Sequence, residues 1–419
     1  MIQRFGDSAP WKRRNRRLTT PHSKTRLHRP LRLQVLAFTA TRTVLNTMHR
    51  MVYPFLPALG RGLGVDLAAL SLALTLRSLA GAGGPFLASV ADSRGRKTGM
   101  LLGLSLFTLG VGLVALWPSY PAFLVAMILA MLGKYAFDPS MQAYLGDRIT
   151  YQRRGLVLAV TELGWSLSFI LGVPVIGFLI ARRGWTAPFP FLALLGLFAI
   201  GLLSWLIPRD PSPAEDRLSL WENLRKVLSY PPALAGLAMG FSMSTANEVV
   251  NLVFGVWMED SFGLKVAALG AASAVIGFSE LGGESLAAGL TDRLGKTRAV
   301  GSGLLLNSLA ALALPFLGRG LAWAVVGLFL FYITFEFALV SSIPLMTEVL
   351  PSARATLMST NVAGLSLGRA LGALIASPLY FLGVRGLGGI DLLPSALAVV
   401  VFNFLALVAL HHLRKRDKS

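Results

Sequence analysis

The sequence predicts an all-α membrane protein with twelve transmembrane helices arranged in two six-helix, pseudo-symmetric halves. Three observations lead to this prediction: the composition, the spacing of the apolar segments and an internal repeat. The 419 residues are 54% hydrophobic and only 14% charged, with a mean hydropathy of +0.64, whereas soluble domains carry about 25% charged residues. The chain contains no cysteine, which excludes disulfides, thiolate metal sites and a cysteine nucleophile.

Apolar segments long enough to cross a bilayer recur along the chain. A spanning helix needs about 20 mostly apolar residues. The segments that satisfy this condition lie at about 31–59, 67–91, 98–117, 121–146, 155–181, 187–207, 232–258, 266–290, 299–318, 321–349, 355–382 and 390–413. They predict an N-terminal half at 31–207 and a C-terminal half at 232–413. The linker between them, 208–231, contains a predicted amphipathic helix at 218–229.

Lysine and arginine are distributed unevenly between the two sets of loops, and this orients the chain in the membrane. With the N-terminus inside, the inside segments hold 28 of these residues and the outside loops hold six. Because basic residues are enriched in cytoplasmic loops, both termini are expected in the cytoplasm and the protein in the plasma membrane. The net charge of +19 is then a consequence of topology, and nucleic-acid binding is not expected.

The first 30 residues form a basic arm with nine Lys or Arg and no apolar core. A secretory signal peptide needs an apolar core, so we interpret 1–30 as a cytoplasmic arm that contacts anionic lipid heads. An Arg-rich transit peptide or an incorrectly assigned start stays open. The last six residues, 414–419, are a basic cytoplasmic tail.

A repeat with an offset of 200 residues relates the two halves. The segment ASVADSRGRK follows the second predicted span, and AGLTDRLGKTR follows the eighth. Asp92 and Gly95 thereby recur as Asp292 and Gly295. Two six-helix units in parallel orientation are an arrangement that secondary transporters use.

The repeated loop resembles the loop 2–3 signature of the major facilitator superfamily, although Ala88, Val90 and Ser93 replace its usual Gly, Leu and Arg. In that family the loop latches the two halves together on the cytoplasmic side. The resemblance therefore implies a cytoplasmic gate, and a topology anchor without a gating role is the open alternative. The implied gate residues are Asp92, Gly95, Arg96, Lys97, Asp292, Gly295, Arg154 and Arg354.

A second motif resembles one particular branch of the superfamily. LGVPVIG at 171–177 is similar to the antiporter motif of the drug exporters, with Val173 at the position before Pro174. The arginine motif that these exporters carry in their fourth helix is absent, and Leu129 stands near its place. The resemblance to antiporters therefore covers one helix.

Polar residues form a stripe along the first predicted span, at helical spacing. Such a stripe cannot face lipid. In the superfamily, helices 1, 4, 7 and 10 line a central cavity, and each of these helices carries polar residues here. The resemblance therefore implies a substrate and ion pathway at Arg42, Asn46, His49, Arg50, Tyr53, Lys134, Asp138, Asn247, Glu248, Asn251 and Glu336.

Further charges lie within spans outside this set, and we expect them to act between the halves: Arg77, Glu162, Glu280, Glu284 and Arg369. All intramembrane charges together comprise five bases and six acids. Four of the bases belong to the N-terminal half and four of the acids to the C-terminal half, so opposite charges are predicted to face each other across the cleft.

Several partners for these charges stay open from the sequence. Lys134 and Asp138 are one turn apart and can pair within one helix. Glu162 can pair with Arg153 or Arg154, and Glu284 with Arg293. Arg50 and Glu248 occupy similar depths in the two halves, and we expect them to approach each other when the outer side is closed. Asp138 and Glu248 are the predicted proton-carrying groups.

These features favour a secondary active transporter that moves a small solute by alternating access, with proton-coupled efflux. An uptake symporter, a lipid flippase or scramblase, and a non-transporting membrane sensor are the alternatives. LGKT at 294–297 is not a P-loop, because Leu290 stands where the first glycine belongs. An enzyme, a cofactor and a metal site are not expected. The expected partners are the lipid bilayer, a small-molecule substrate and a proton or other coupling ion, with the chain acting as a monomer.

Overall fold

The computed structural model describes residues 29–84, 95–149, 151–208, 220–318, 320–386 and 391–415. Helices dominate these ranges, as the sequence predicts. The long helices are α1 (Arg29–Leu63), α2 (Leu67–Ala82), α3 (Arg96–Leu116), α4 (Tyr120–Arg148), α5 (Tyr151–Leu167, a π-helical segment Ser168–Gly172, and Val173–Arg183), α6 (Pro188–Leu206), α7 (Pro231–Phe262), α8 (Val266–Leu294), α9 (Lys296–Leu317), α10 (Leu321–Val349), α11 (Arg354–Gly386) and α12 (Leu393–Lys415). A short helix, Leu220–Ser229, lies before α7. Residues 1–28 of the basic arm, the loop around Asp92 and 209–219 lie outside the described residues.

Length and apolarity support a membrane-spanning role for most of these helices. Within the described ranges, nine helices are long and apolar enough to cross a membrane, and α2 is a shorter apolar helix. The long helices α1 and α7 fall outside this group, and both carry polar residues that are buried inside the protein, such as Arg50 and Glu248. Their polar faces are therefore shielded from lipid by the other helices.

Contacts between helix ends show that α1 and α6 run in opposite directions. Gln34, near the start of α1, donates a hydrogen bond to the Leu206 carbonyl at the end of α6 (3.2 Å). At the other end of α1, Gly62 lies against the ring of Trp185, just before α6 begins. We call the side where α1 begins and α12 ends the terminal face, and the opposite side the distal face.

The repeat is visible in the backbone. Gly95 (φ +95°) precedes α3 and Gly295 (φ +82°) precedes α9, so both loops turn at a conformation that favours glycine. The packing of the following helices is also alike. A Cβ on Gly103 would lie 2.5 Å from the Gly133 carbonyl of α4, and a Cβ on Gly303 would lie 2.8 Å from the Ala338 Cβ of α10.

Close backbone approaches join the two halves toward the distal face. A Cβ on Gly255 of α7 would lie only 2.5 Å from the Tyr53 carbonyl of α1. On the other side of the interface, a Cβ on Gly177 of α5 would lie 3.3 Å from the Gly270 Cα of α8. Gly177 belongs to the LGVPVIG motif, which therefore lies where α5 meets α8.

Candidate functional site

A cavity of about 440 Å³ lies between the two halves. Its wall extends from mid-depth toward the terminal face, along the second half of α10 to Ile343 and along α5 to Ala159. The lining residues are His49, Arg50, Tyr53, Ala159, Glu162, Trp165, Ser244, Asn247, Glu248, Asn251, Glu280, Glu284, Tyr332, Phe335, Glu336, Leu339, Val340, Ile343, Leu365 and Arg369. Residues of α1 and α5 thus face residues of α7, α8, α10 and α11.

The halves close over the distal end of this cavity. Tyr53 and Pro54 of α1 press against Gly255 of α7. Farther out, the exposed Arg61 forms an ion pair with Glu259 at 2.5 Å. We call these five residues the distal seal.

The predicted pathway residues divide into two groups. His49, Arg50, Tyr53, Asn247, Glu248, Asn251 and Glu336 line the cavity. The remaining four, Arg42, Asn46, Lys134 and Asp138, lie behind the wall, where α1 packs against α4 and α5. The sequence predicts a position in the pathway for both groups, because both lie on helices that carry polar residues at mid-depth.

The four residues behind the wall form a closed network. Arg42 forms ion pairs with Asp138 (3.0 Å) and with Glu162 (2.7 Å). Lys134 forms an ion pair with Asp138 at 2.6 Å and donates a hydrogen bond to the Asn46 side chain at 2.7 Å. The intrahelical Lys134–Asp138 pair that was left open is therefore present. Glu162 pairs with Arg42, and nothing is described of the side chains of Arg153 and Arg154.

Arg50 crosses from α1 to the C-terminal half. Its guanidinium forms an ion pair with Glu280 of α8 and donates to the Trp165 carbonyl at 3.0 Å. The guanidinium carbon lies 3.6 Å from the centre of the Phe169 ring, a cation–π geometry. The expected pairing of Arg50 with Glu248 is wrong for this state, in which the distal end is closed, because α8 places Glu280 nearer to Arg50.

Glu248 of α7 belongs to a different network. It accepts a hydrogen bond from the Tyr53 hydroxyl at 2.8 Å, and that hydroxyl accepts one from Arg77 at 2.7 Å. Asn251 also donates to Glu248, at 3.4 Å. Arg77 was expected to act between the halves, and it reaches the C-terminal half through Tyr53.

Arg369 of α11 lines the same side of the cavity as Glu248. It lies beside the Tyr135 hydroxyl of α4. Its Nε has no hydrogen-bond partner among the described residues. Tyr135 and Ser366 also share a 2.6 Å hydrogen bond between α4 and α11, so the predicted inter-half position of Arg369 agrees with its surroundings.

Three carboxyl groups share the wall formed by α8 and α10. Glu280 and Glu284 are one turn apart on α8. Glu336 of α10 is brought close to them at Gly283, where a Cβ would lie 2.7 Å from the Glu336 Cβ. Within the described part of the chain, Glu284 and Glu336 form no ion pair, so the open Glu284–Arg293 pairing is not found. We call Glu280, Glu284 and Glu336 the acidic wall.

The expected cytoplasmic gate residues that the structure describes lie at the terminal face, and three of them make contacts within their own half. Arg96 pairs with Asp147 at 3.6 Å, Lys97 donates to the Ile207 carbonyl at 2.6 Å, and Arg354 donates to the Thr347 carbonyl at 2.8 Å. Asp292 is exposed. Asp92 lies outside the described residues, as does the side chain of Arg154.

Aromatic residues were missed by the sequence reasoning. Trp165, Tyr332 and Phe335 line the cavity, and the Phe169 ring packs against the guanidinium of Arg50. A signal for Trp165 was available, since it follows Glu162 by three residues and therefore shares its helical face. For Tyr332 and Phe335 the signal was weak, because apolar and aromatic residues surround them throughout α10.

Comparisons with known proteins agree with this architecture. The family model described as Major Facilitator Superfamily matches residues 39–247 and 236–419. The chain is 27% identical over 292 residues to the MFS-type transporter YceJ of Bacillus subtilis (strain 168), covering 70% of this chain and 74% of that protein. It is 25% identical over 355 residues to the inner membrane transport protein YdhP of Escherichia coli (strain K12), covering 84% and 89%.

A solved structure shares the fold. It is a bacterial homolog of the human lysosomal transporter Spinster in an inward-facing and unoccupied conformation. The TM-score is 0.70 at 15% sequence identity, and the match covers 93% of this chain and 96% of that chain.

Proposed function

The chain belongs to the Major Facilitator Superfamily, a family of membrane transporters and not of enzymes, and from this premise we propose that it is a secondary active transporter. It moves a small solute by alternating access and couples efflux of that solute to proton entry. The protein works as a monomer in the plasma membrane, as expected of a chain similar to an inner membrane transport protein.

The cavity between the halves is the observation that carries this proposal. It is sealed distally by contacts between α1 and α7 and extends toward the terminal face. The excess of Lys and Arg in the loops of the terminal face favours a cytoplasmic position for that face. The conformation is then inward-open. Separation of the distal seal, with closure at the terminal face through the loops at Gly95 and Gly295, would give the opposite access.

Efflux coupled to protons is supported by two features. The LGVPVIG segment, which resembles the antiporter motif, lies at the α5–α8 contact between the halves. In addition, the cavity is lined by carboxyl groups whose partners come from the opposite half, namely Glu280 with Arg50 and Glu248 with Tyr53. A carboxyl group that changes its partner as the halves rock also changes its affinity for a proton. Asp138 is less suited to this role, since it lies behind the wall.

Proteoliposomes test both coupling and direction. Solutes are first selected by their effect on the melting temperature of the purified protein, and their accumulation is then measured with an acidic interior, an acidic exterior or no pH gradient. An antiporter accumulates solute when the interior is acidic. Accumulation with an acidic exterior would instead identify a symporter, and movement of a labelled phospholipid without solute transport would identify a flippase.

A locked variant supplies the control. Cysteines at Arg61 and Glu259, joined by a cleavable crosslinker, hold the distal seal shut in a chain that has no other cysteine. Crosslinking should abolish accumulation, and cleavage of the linker should restore it. If solutes that bind are accumulated under neither gradient, proton coupling is wrong, and if crosslinking leaves the flux unchanged, alternating access through this cavity is wrong.

A further inference from the structure

We propose that the solute is an organic cation with an aromatic or apolar body, and that the acidic wall formed by Glu280, Glu284 and Glu336 holds its positive charge. This inference rests on the transporter proposed above and names the substrate class of the same cavity.

The acidic wall has more negative charge than its surroundings neutralise. Arg50 occupies one oxygen of Glu280, while the other, Oε2, has no hydrogen-bond partner among the described residues although Glu280 is only 4% exposed. The charges that act on Glu336 are mainly those of Glu280 and Glu284, with Arg50 opposing them. Three carboxyl groups therefore share one guanidinium, and all three residues line the cavity.

The cations of the N-terminal half do not compensate this wall. Arg42 and Lys134 form ion pairs with Asp138, which lies behind the cavity wall, and Arg42 also pairs with Glu162, which lines the cavity. Because two bases meet two acids there, that network is neutral. Its charges are held at 3.0 Å or less, so they contribute little net field at the cavity.

The opposite wall carries one surplus positive charge. Arg77 and Arg369 both lie near Glu248, and both attract its negative charge. With all acids ionised, the intramembrane set of six acids and five bases has a net charge of −1. A charge without a partner is costly at this depth, so a monovalent cation bound at the acidic wall completes the balance.

The remaining surface of the cavity fits an aromatic or apolar body. Trp165, Tyr332 and Phe335 border the same space as the carboxyl groups, together with Leu339 and Ile343. Aromatic faces attract cations. The volume of 440 Å³ lies within the range of about 300–1,000 Å³ that is typical of small-molecule sites.

Two ions of the same shape and opposite charge test the inference. Binding of radiolabelled tetraphenylphosphonium and tetraphenylborate to the purified, detergent-solubilised protein is measured by equilibrium dialysis. The phosphonium is expected to bind at least about tenfold more tightly, which corresponds to about 1.4 kcal/mol. Ethidium serves as a second, flat cation in case a tetrahedral shape does not fit.

Charge-removing variants locate the site. Glu284→Gln and Glu336→Gln should each weaken phosphonium binding about tenfold, the effect of about one lost charge pair. Glu348→Gln removes the same charge outside the cavity, where Glu348 pairs with Lys296, and should leave binding unchanged. Melting curves of all three variants show whether they are folded.

Several results would overturn the inference. These are equal binding of the two tetraphenyl ions, wild-type affinity of both cavity variants, and failure of both cations to bind. In contrast, binding of cations with the predicted variant pattern but without gradient-driven flux in proteoliposomes would leave the substrate class standing and overturn the transporter proposal. The two failures are therefore distinguishable.

Discussion

The two halves use intramembrane charge in different ways. In the N-terminal half, Arg42, Lys134, Asp138 and Glu162 pair with one another between α1, α4 and α5. In the C-terminal half, Glu280, Glu284 and Glu336 face the cavity, and the only base that forms an ion pair with one of these three acids among the described residues is Arg50 of the other half. The difference indicates that the paired charges stabilise the helix bundle, whereas the acids without their own partners are available to a ligand.

Equivalent helices make the contrast clear. α4 and α10 occupy the same place in the repeat, and Asp138 and Glu336 lie at nearly the same depth in them. Asp138 contacts two cations, at 2.6 and 3.0 Å, whereas Glu336 has no ion-pair partner in the described part of the chain. The same kind of side chain at the same height thus serves two purposes.

Removing one acid from each half tests this contrast, and the resulting difference in stability is the largest effect that we predict. Asp138→Asn leaves Lys134 without its carboxylate and Arg42 with Glu162 alone. Loss of one member of a buried ion pair costs about 3–5 kcal/mol, so we expect a strongly lowered melting temperature in detergent. Glu336→Gln removes a charge that has no ion pair and should not destabilise the protein.

A double variant tests whether the loss of stability comes from the cation that Asp138→Asn leaves unpaired. Combining Asp138→Asn with Lys134→Met removes a cation together with the acid and should recover part of the lost stability. Equal melting temperatures of Asp138→Asn and Glu336→Gln would contradict the distinction between the halves.

Glycines at the distal interface give a second comparison, with an intermediate effect. A Cβ at Gly255 would clash with α1 backbone at 2.5 Å, whereas a Cβ at Gly177 would first meet the Phe55 ring at 3.0 Å. Overpacking costs about 1–3 kcal/mol, and α1 backbone cannot move aside as a side chain can. Gly255→Ala should therefore shift the equilibrium toward the distally open state by about 5- to 150-fold, and Gly177→Ala by less.

Labelling of an introduced cysteine measures this shift. Asn247→Cys places a thiol in the cavity wall, and its reaction with an impermeant maleimide added at the distal face reports opening. Gly112→Ala is the matched control, because a Cβ there meets nothing within 4 Å. Equal labelling of the Gly255→Ala and Gly112→Ala proteins would show that the backbone contact does not set the conformation.

The ion pair at the rim of the seal should have the smallest effect. Arg61 is 61% exposed in its side chain, and exposed pairs are worth about 0–1 kcal/mol. Glu259→Gln should raise distal labelling of the same cysteine by at most about fivefold. The increase should vanish at high salt, and the swap Arg61→Glu with Glu259→Arg should reverse it. An effect as large as that of Gly255→Ala would show that the ion pair, and not backbone packing, holds the distal end closed.

The fold was accessible from the sequence because hydrophobicity and length determine spanning helices. The predicted span 121–146 became α4 at Tyr120–Arg148, and 390–413 became α12 at Leu393–Lys415. The predicted helix in the linker is present at Leu220–Ser229.

Partners within the site could not be predicted in the same way. Helical spacing shows that Arg42 and Arg50 avoid lipid, but it does not show whether each faces the cavity or a neighbouring helix. That choice depends on helix rotation and tertiary contacts. Glu162 thus pairs with Arg42 of α1, and Arg50 finds Glu280 on a helix that sequence reasoning did not place beside it.

The close contacts between the halves toward the distal face involve mainly backbone and glycine residues, and this affects how easily these contacts re-form. Long side chains lose up to about 2 kcal/mol of rotamer entropy when they are ordered, while glycine loses no side-chain entropy. Contacts of Gly255 with Tyr53 and Pro54, and of Gly177 with Gly270, can therefore separate and close without a search among rotamers. Such an interface suits the repeated opening and closing that the proposed transport cycle requires.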